Sequence, residues 1–163
     1  MTTPRVRSAT PEDADRLAAV YRSAYAENRR LGFPTKAAFA TGADVTEWME
    51  QSRVYVATVR ERVVGGVRLE ATDEDRVKLS RLAVHEDWKG EGIGSRLLDR
   101  AEAVVREWGY GTVWLTTPPE HPFLVDVYRS RGYEVTGEYP LEYRDYDEVV
   151  MEKSLASSAD GSP

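Results

Sequence analysis

The chain has 163 residues, no cysteine, two histidines and a formal net charge of −6. That length suffices for a single domain with a real core, and 41% apolar with 31% charged residues describes a folded, soluble chain rather than a disordered one. The acidic balance argues against a nucleic-acid partner, and the lack of cysteine excludes disulfides, thiolate zinc sites and a cysteine nucleophile. With only His85 and His121, a His-rich metal site is excluded as well. No apolar run approaches a membrane span and the N-terminus lacks a signal-peptide core, so no membrane partner is expected and the cytoplasm is the default location. The negative charge mildly favours cationic acceptors, although a solubilising acidic surface accounts for it equally.

Residues 5–9 alternate weakly, as a first strand would. Thr10 then stands as an N-cap with Pro11 at the first helical position and acids behind it. Leu17, Val20, Tyr21, Ala24 and Tyr25 follow at helical spacing as one buried stripe. That helix is predicted to stop before the turn at Gly32-Phe33-Pro34. A second helix is predicted over 43–51, with Val45, Trp48 and Met49 on one face. Residues 54–59 and 63–71 read as a hairpin around Arg60-Glu61-Arg62, and Asp73-Glu74-Asp75 turns the chain into a third strand over 76–84.

A long helix is predicted next, with Ile93, Leu97, Ala101, Val104, Val105 and Trp108 along one stripe and Gly109 as its C-terminal cap. Residues 112–116 form a short strand. After Pro118-Pro119-Glu120-His121-Pro122 comes another helix, with Leu124, Val127, Tyr128 and Arg131 on one face and Gly132 at its end. Strands over 133–139 and 147–153 complete the order β-α-α-β-β-β-α-β-α-β-β. Residues 1–155 are expected to form one domain, and the small, polar tail 156–163 to be disordered.

The informative stretch is 79–98, a strand followed by Lys89-Gly90-Glu91-Gly92-Ile93-Gly94 and the start of the long helix. A helix N-terminus leaves backbone N–H groups unpaired and collects partial positive charge. Glycine lets a ligand approach that backbone closely, so a phosphate or pyrophosphate is the expected ligand. A dinucleotide fingerprint requires a glycine where Ser95 or Leu97 stands, and no Walker loop is present.

The run Lys89-x-x-Gly92-x-Gly94 resembles the Gln/Arg-x-x-Gly-x-Gly/Ala signature of the GNAT acetyltransferase superfamily. The resemblance covers nearly the whole chain and implies a GNAT-like α/β (α+β) fold: a mixed, mostly antiparallel sheet flanked by helices. It implies acetyl-CoA as cosubstrate. The backbone of Leu82, Ala83 and Val84 would pair with the pantetheine arm in a gap beside the strand at 112–116. Lys89, Gly90, Glu91, Gly92, Ile93, Gly94 and Ser95 would cradle the pyrophosphate. Lys89 replaces the usual glutamine or arginine and offers a point charge without the bidentate fork. The run from Phe123 to Tyr133 resembles the second family motif, Tyr-x-x-x-Gly-Phe/Tyr, which makes Tyr128 the catalytic group beside the coenzyme A sulfur.

His121 stands where the family often has asparagine, as a helix cap or in contact with the cofactor. The glutamate that some family members use as base early in this strand is replaced by Lys78, which leaves Glu70 and Glu27 as candidate bases, directly or through water. Tyr25, Glu27, Phe33, Trp48, Tyr139, Tyr143 and Tyr146 fall where the family builds its acceptor pocket, and aromatics with interspersed acids suit an amine. The implied reaction is direct acetyl transfer to a primary amine, on a small molecule or on a protein or peptide, and the resemblance allows a homodimer. A coenzyme A-binding regulatory or degenerate module without turnover is the alternative, and a nucleotide-binding α/β domain a third reading.

Overall fold

The computed structural model describes residues 3–32, 36–122, 124–139 and 147–155. The tail, Phe33, Tyr143, Tyr146 and the side chain of Glu27 lie outside the described residues. The elements are β1 (Arg5–Ser8), α1 (Ala14–Arg30), α2 (Gly42–Gln51), β2 (Arg53–Val59), β3 (Arg62–Ala71), β4 (Arg76–Val84), α3 (Ile93–Glu107), β5 (Thr112–Thr117), α4 (Leu124–Ser130), β6 (Glu134–Tyr139) and β7 (Glu148–Ser154). The strands run β1-β2-β3-β4-β5-β7-β6 in a mixed, mostly antiparallel sheet, with β5 parallel to β4. Among the described residues, no helix is long and apolar enough to cross a membrane. The chain divides into two compact units, Met1–Glu70 with Leu79–Ala103, and Ala71–Lys78 with Val104–Pro163.

In the first unit, Thr10 holds the predicted cap position, but its own hydroxyl does not do the capping. The Asp13 carboxylate accepts from the Thr10 N–H at 2.8 Å and the Thr10 hydroxyl at 3.2 Å, and from both Arg7 Nη atoms at 2.8 and 3.0 Å. A single 3-10 turn, Pro11–Asp13, leads from there into α1. The predicted stripe on α1 is real: Leu17, Val20 and Tyr21 are wholly buried, and Ala24 and Tyr25 pack at the edge of the same cluster. Val45 and Trp48 of α2 join it, with Val54, Val56 and Val63 from the strands.

The hairpin turn is tighter than predicted. Val59 pairs with Arg62, which leaves Arg60 and Glu61 as a two-residue turn, both left-handed at φ 52° and 69°. Two successive left-handed residues are the type I′ geometry that matches strand twist. The register then slips, with Ala57 opposite Gly65 and Thr58 opposite Val63. Val64 is the extra residue of this bulge, and its carbonyl accepts from the His85 N–H at 2.9 Å.

Gly65 and Gly66 serve opposite faces of β3, as successive strand residues must. A Cβ on Gly65 would lie 2.9 Å from the Ala83 carbonyl and 3.1 and 3.3 Å from Leu97 and Ile93 of α3. One on Gly66 would lie 2.7 Å from Leu17 and 3.3 Å from the Tyr21 hydroxyl, both on α1. Two helices thus use the space that two missing side chains leave.

In the second unit, β5 pairs with the first three residues of β4, from Arg76↔Thr112 to Lys78↔Trp114. The last strand, β7, lies between β5 and β6 and is antiparallel to both. The sequence predicts β6 and β7 as a closing pair but not the placement of β7 beside β5. Val127, expected on the apolar face of α4, is 42% exposed, and Trp108 lies at the exposed end of the α3 stripe, its ring edge-on to Tyr110.

Gly65→Ala is expected to cost about 1–3 kcal/mol, because the clash is with backbone that cannot yield; the urea-unfolding midpoint reads it directly. Asp13 has its pKa held below the usual carboxylate value, first by the Arg7 hydrogen bonds and then, against the cost of burial, by the Thr10 N–H. Its contribution is present above the unfolded-state pKa, about 3.9, and disappears as pH falls through the lower folded value. Asp13→Asn should be less stable by about 1 kcal/mol at neutral pH, and the difference should begin to shrink as pH falls past about 4 and vanish only below the lowered folded-state pKa.

Candidate functional site

At the end of β4 the chain makes one 3-10 turn, Glu86–Trp88, which the sequence does not announce, and then enters the glycine loop. The turn is held from both ends: the Asp87 N–H donates to His85 Nδ1 at 3.1 Å, and the Glu86 N–H donates to Ser23 Oγ of α1 at 3.1 Å. Gly90 and Gly92 have φ of +83° and +80°, the left-handed region that glycine tolerates best. Both are exposed, and a Cβ on either would meet nothing within 4 Å. The first helical hydrogen bond of α3 runs from the Arg96 N–H to the Gly92 carbonyl at 3.1 Å. The N–H groups of Ile93, Gly94 and Ser95 therefore precede the intrahelical ladder.

The seven loop residues divide by role. Ile93 is 1% exposed, and its side chain anchors α3 against Gly65 in the core, so only its backbone belongs to the loop surface. Lys89, Glu91 and Ser95 are exposed. Gly94 is helical, and a Cβ there would make an ordinary 3.8 Å contact with Val84. Neither backbone conformation nor packing within the chain calls for glycine at that position.

On β4, Ala83 is buried and its carbonyl faces Gly65 of β3. Strand alternation turns the N–H and C=O groups of Leu82 and Val84 to the opposite edge. There the Leu82 carbonyl already accepts from the Tyr25 hydroxyl at 2.8 Å. Of the three residues expected to offer backbone to an extended ligand arm, Leu82 and Val84 thus face away from β3. The residue before them, Arg81, has φ of +55° inside the strand. A left-handed non-glycine residue there carries backbone strain of the kind that gathers at functional sites.

Trp48, expected as an aromatic contact for an amine, instead carries two guanidinium groups: Arg81 at 4.9 Å and Arg68 at 5.9 Å from the ring centroid. Its ring is also edge-on to Tyr21 at 5.5 Å. Arg68 donates from Nε to Ser52 Oγ at 2.6 Å, and its pKa lies below the ordinary value, mainly through burial, with the neighbouring charge of Arg81 adding to the effect. This cluster is not readable as a site from the sequence. The only signal is that Arg68 interrupts the apolar run Val67-Arg68-Leu69 and Arg81 stands directly before Leu82-Ala83-Val84, and solvated strand faces do the same.

In the other unit, Tyr128 lies in the last turn of α4 and is 8% exposed. The helix closes with two bonds: the Gly132 N–H to the Arg129 carbonyl at 2.9 Å and the Tyr133 N–H to the Tyr128 carbonyl at 3.1 Å. With Gly132 at φ +97° this is a Schellman cap. Its accompanying side-chain contact is the edge-on pair Tyr128–Tyr133, 5.7 Å between centroids. The Tyr-x-x-x-Gly-Tyr spacing is therefore that of a helix stop that fixes one tyrosine by means of another. Tyr133 is fully buried, with Lys153 Nζ 5.8 Å over its ring.

His121 is buried at 5% exposure, with its N–H donating to the Pro118 carbonyl at 3.2 Å. Lys78 places its Nζ 5.1 Å over Trp114 and 5.6 Å over Tyr139, so the residue standing where the family has an acid, and one of the expected pocket aromatics, belong to a cation–π stack.

Residues 18–133 match the Acetyltransferase (GNAT) family. The chain is 31% identical over 157 residues to the S-alkylcysteine N-acetyltransferase of Bacillus subtilis (strain 168), covering 89% of this chain and 85% of that one. It is 29% identical over 160 residues to the S-(2-succino)cysteine N-acetyltransferase of the same organism, covering 93% and 96%. Among solved structures, Ard1 from Thermoplasma volcanium shares the fold at a TM-score of 0.75 and 22% identity, over 93% of this chain and 97% of that one. The PaiA N-acetyltransferase from Thermoplasma acidophilum, in complex with coenzyme A, does so at 0.74 and 18%, over 94% and 99%. The chain belongs to the GNAT acetyltransferase family and is an acetyl-CoA-dependent N-acetyltransferase.

Proposed function

We propose that the protein transfers the acetyl group of acetyl-CoA directly to the primary amine of a small molecule. Gly94 is the observation that carries the cofactor half of this reading. Helical glycine costs roughly 0.5–1 kcal/mol relative to alanine, and among the described residues nothing crowds that position. A ligand pressed against the first turn of α3 supplies the missing reason. In this reading the loop from Lys89 to Ser95 receives the pyrophosphate through backbone N–H donors and the positive end of the helix dipole. Leu82 and Val84 offer backbone to the pantetheine arm as an added strand would.

The donor supplies an activated thioester. The acceptor attacks as the neutral amine, and at pH 7 an alkylamine with a pKa near 10.4 must give up roughly 4–5 kcal/mol to reach that form. Tyr128 is the residue matched to the group that meets the departing thiolate. Full proton transfer from a phenol near pKa 10 to a thiolate near 8.5 runs uphill by roughly 2 kcal/mol. Hydrogen-bond stabilisation of the developing charge therefore carries as much of the role as proton donation. A small-molecule acceptor accords with the relatives that act on cysteine derivatives.

Tyr128→Phe is expected to lower kcat by about 100-fold, with the Kd for coenzyme A unchanged by calorimetry; an unchanged kcat removes Tyr128 from the mechanism. Gly94→Ala is expected to leave stability unchanged or raise it by up to about 1 kcal/mol while weakening coenzyme A binding at least tenfold. Equal affinity in that variant would remove the cofactor from this loop. Failure to acetylate any of a broad amine panel, with coenzyme A still bound, would favour a binding module without turnover.

A further inference from the structure

Arginine is rarely buried without a partner, because its charge loses water and gains nothing in return. Around Trp48 the chain buries parts of two. Arg81 has its Nε out of contact with solvent and without a hydrogen-bond partner. Arg68 donates to a neutral serine hydroxyl. Glu70 and Glu47 act on Arg68 only at a distance, and among the described residues no carboxylate forms an ion pair with either arginine. Tyr21, wholly buried beside the same indole, presents a hydroxyl that also has no partner. Burial and the nearby Tyr25 push that phenol's pKa far upward, so it is a neutral donor at any ordinary pH.

These features describe a site suited to an anion. Two forked cations and a hydroxyl donor match a carboxylate, which accepts bidentate bonds from guanidinium and has lone pairs to spare for the hydroxyl. Arg81 directly precedes Leu82 on β4, so its guanidinium is carried by the same strand that offers backbone to the thioester arm. Arg81 itself has left-handed backbone inside that strand.

We propose that Arg81 and Arg68, with the Tyr21 hydroxyl, form a carboxylate subsite, so that the acceptor is an amine carrying a carboxylate close by, of the α-amino acid class. This rests on the acetyl-transfer reading above and adds the specificity determinant to it. The aromatic wall then holds the cations that grip the acceptor, rather than the acceptor's own ammonium.

The test compares matched pairs on the full chain with saturating acetyl-CoA: S-benzylcysteine against S-benzylcysteamine, and phenylalanine against phenethylamine. The acid of each pair should exceed the amine in kcat/KM by about 100-fold, the loss expected when buried charged donors are left unpaired. Arg81→Gln and Arg68→Gln should each narrow that gap, Arg81→Lys should restore part of it, and Tyr21→Phe should narrow it less. Wild-type rates within threefold for acid and amine would overturn the proposal without recourse to any variant. Calorimetry with coenzyme A present separates this proposal from the reading it rests on. If neither compound is acetylated, the transfer reading fails. The subsite then stands if S-benzylcysteine binds at least tenfold tighter than S-benzylcysteamine and Arg81→Gln abolishes the difference, and it falls if the two bind alike.

Discussion

Two consecutive positions on β3 carry no side chain, and helices close in on the strand from both faces. On one face Gly65 admits Ile93 and Leu97, and on the other Gly66 admits Leu17 and Tyr21. The close approach on the first face fixes where α3 begins. Because Ile93 is locked in the core, the residues just before it have no freedom to retreat into it, and the loop of Gly90 and Gly92 is left at the surface with its amides presented. The approach on the second face seats Tyr21 against Trp48 and leaves its hydroxyl without a partner. The glycine loop and the cationic cluster are thus two consequences of one packing constraint, and both lie within the same compact unit.

α1 couples these consequences to the edge of β4. Ser23 receives the Glu86 N–H, Tyr25 reaches the Leu82 carbonyl, and Arg16 donates to the Val63 carbonyl at 2.9 Å. Each bond satisfies a backbone group that the bulge, the strand edge or the turn would otherwise leave open. One face of α1 therefore does two jobs: its apolar stripe forms the core and its polar positions hold the strand end and the loop entrance. The second unit fixes its tyrosine by another route, a helix stop whose hydrogen bonds and ring contact both involve Tyr128.

The element order was legible because periodicity, turn residues and helix caps are local, and the core stripe of α1 and the ends of α3 and α4 follow from them. The strand order was not, since nothing local tells β7 to insert between β5 and β6. Two turns next to the candidate site were legible because their backbone is left-handed and favours glycine, at Gly92 and Gly132. The cationic cluster was not, because a charge inside a strand pattern reads as a solvated face. Arg68 and Arg81 become informative only when tertiary structure removes their water and supplies no acid. Likewise periodicity placed Trp48 on the buried face of its helix, but the two arginines over its ring were not legible from the sequence.

A formal charge of −6 looks unfavourable to the two anionic groups proposed as ligands, a pyrophosphate and the carboxylate of a zwitterionic amino acid. Screening resolves the difference: at physiological salt, fields from exposed charges decay over about 8 Å, so scattered surface carboxylates contribute little inside a desolvated site. Charges that are partly buried there are screened far less. A helix N-terminus and two arginines held by packing therefore weigh more on a bound ligand than acids facing water do. The preference of such a site is set by which charges the fold has dried, and here those charges are positive.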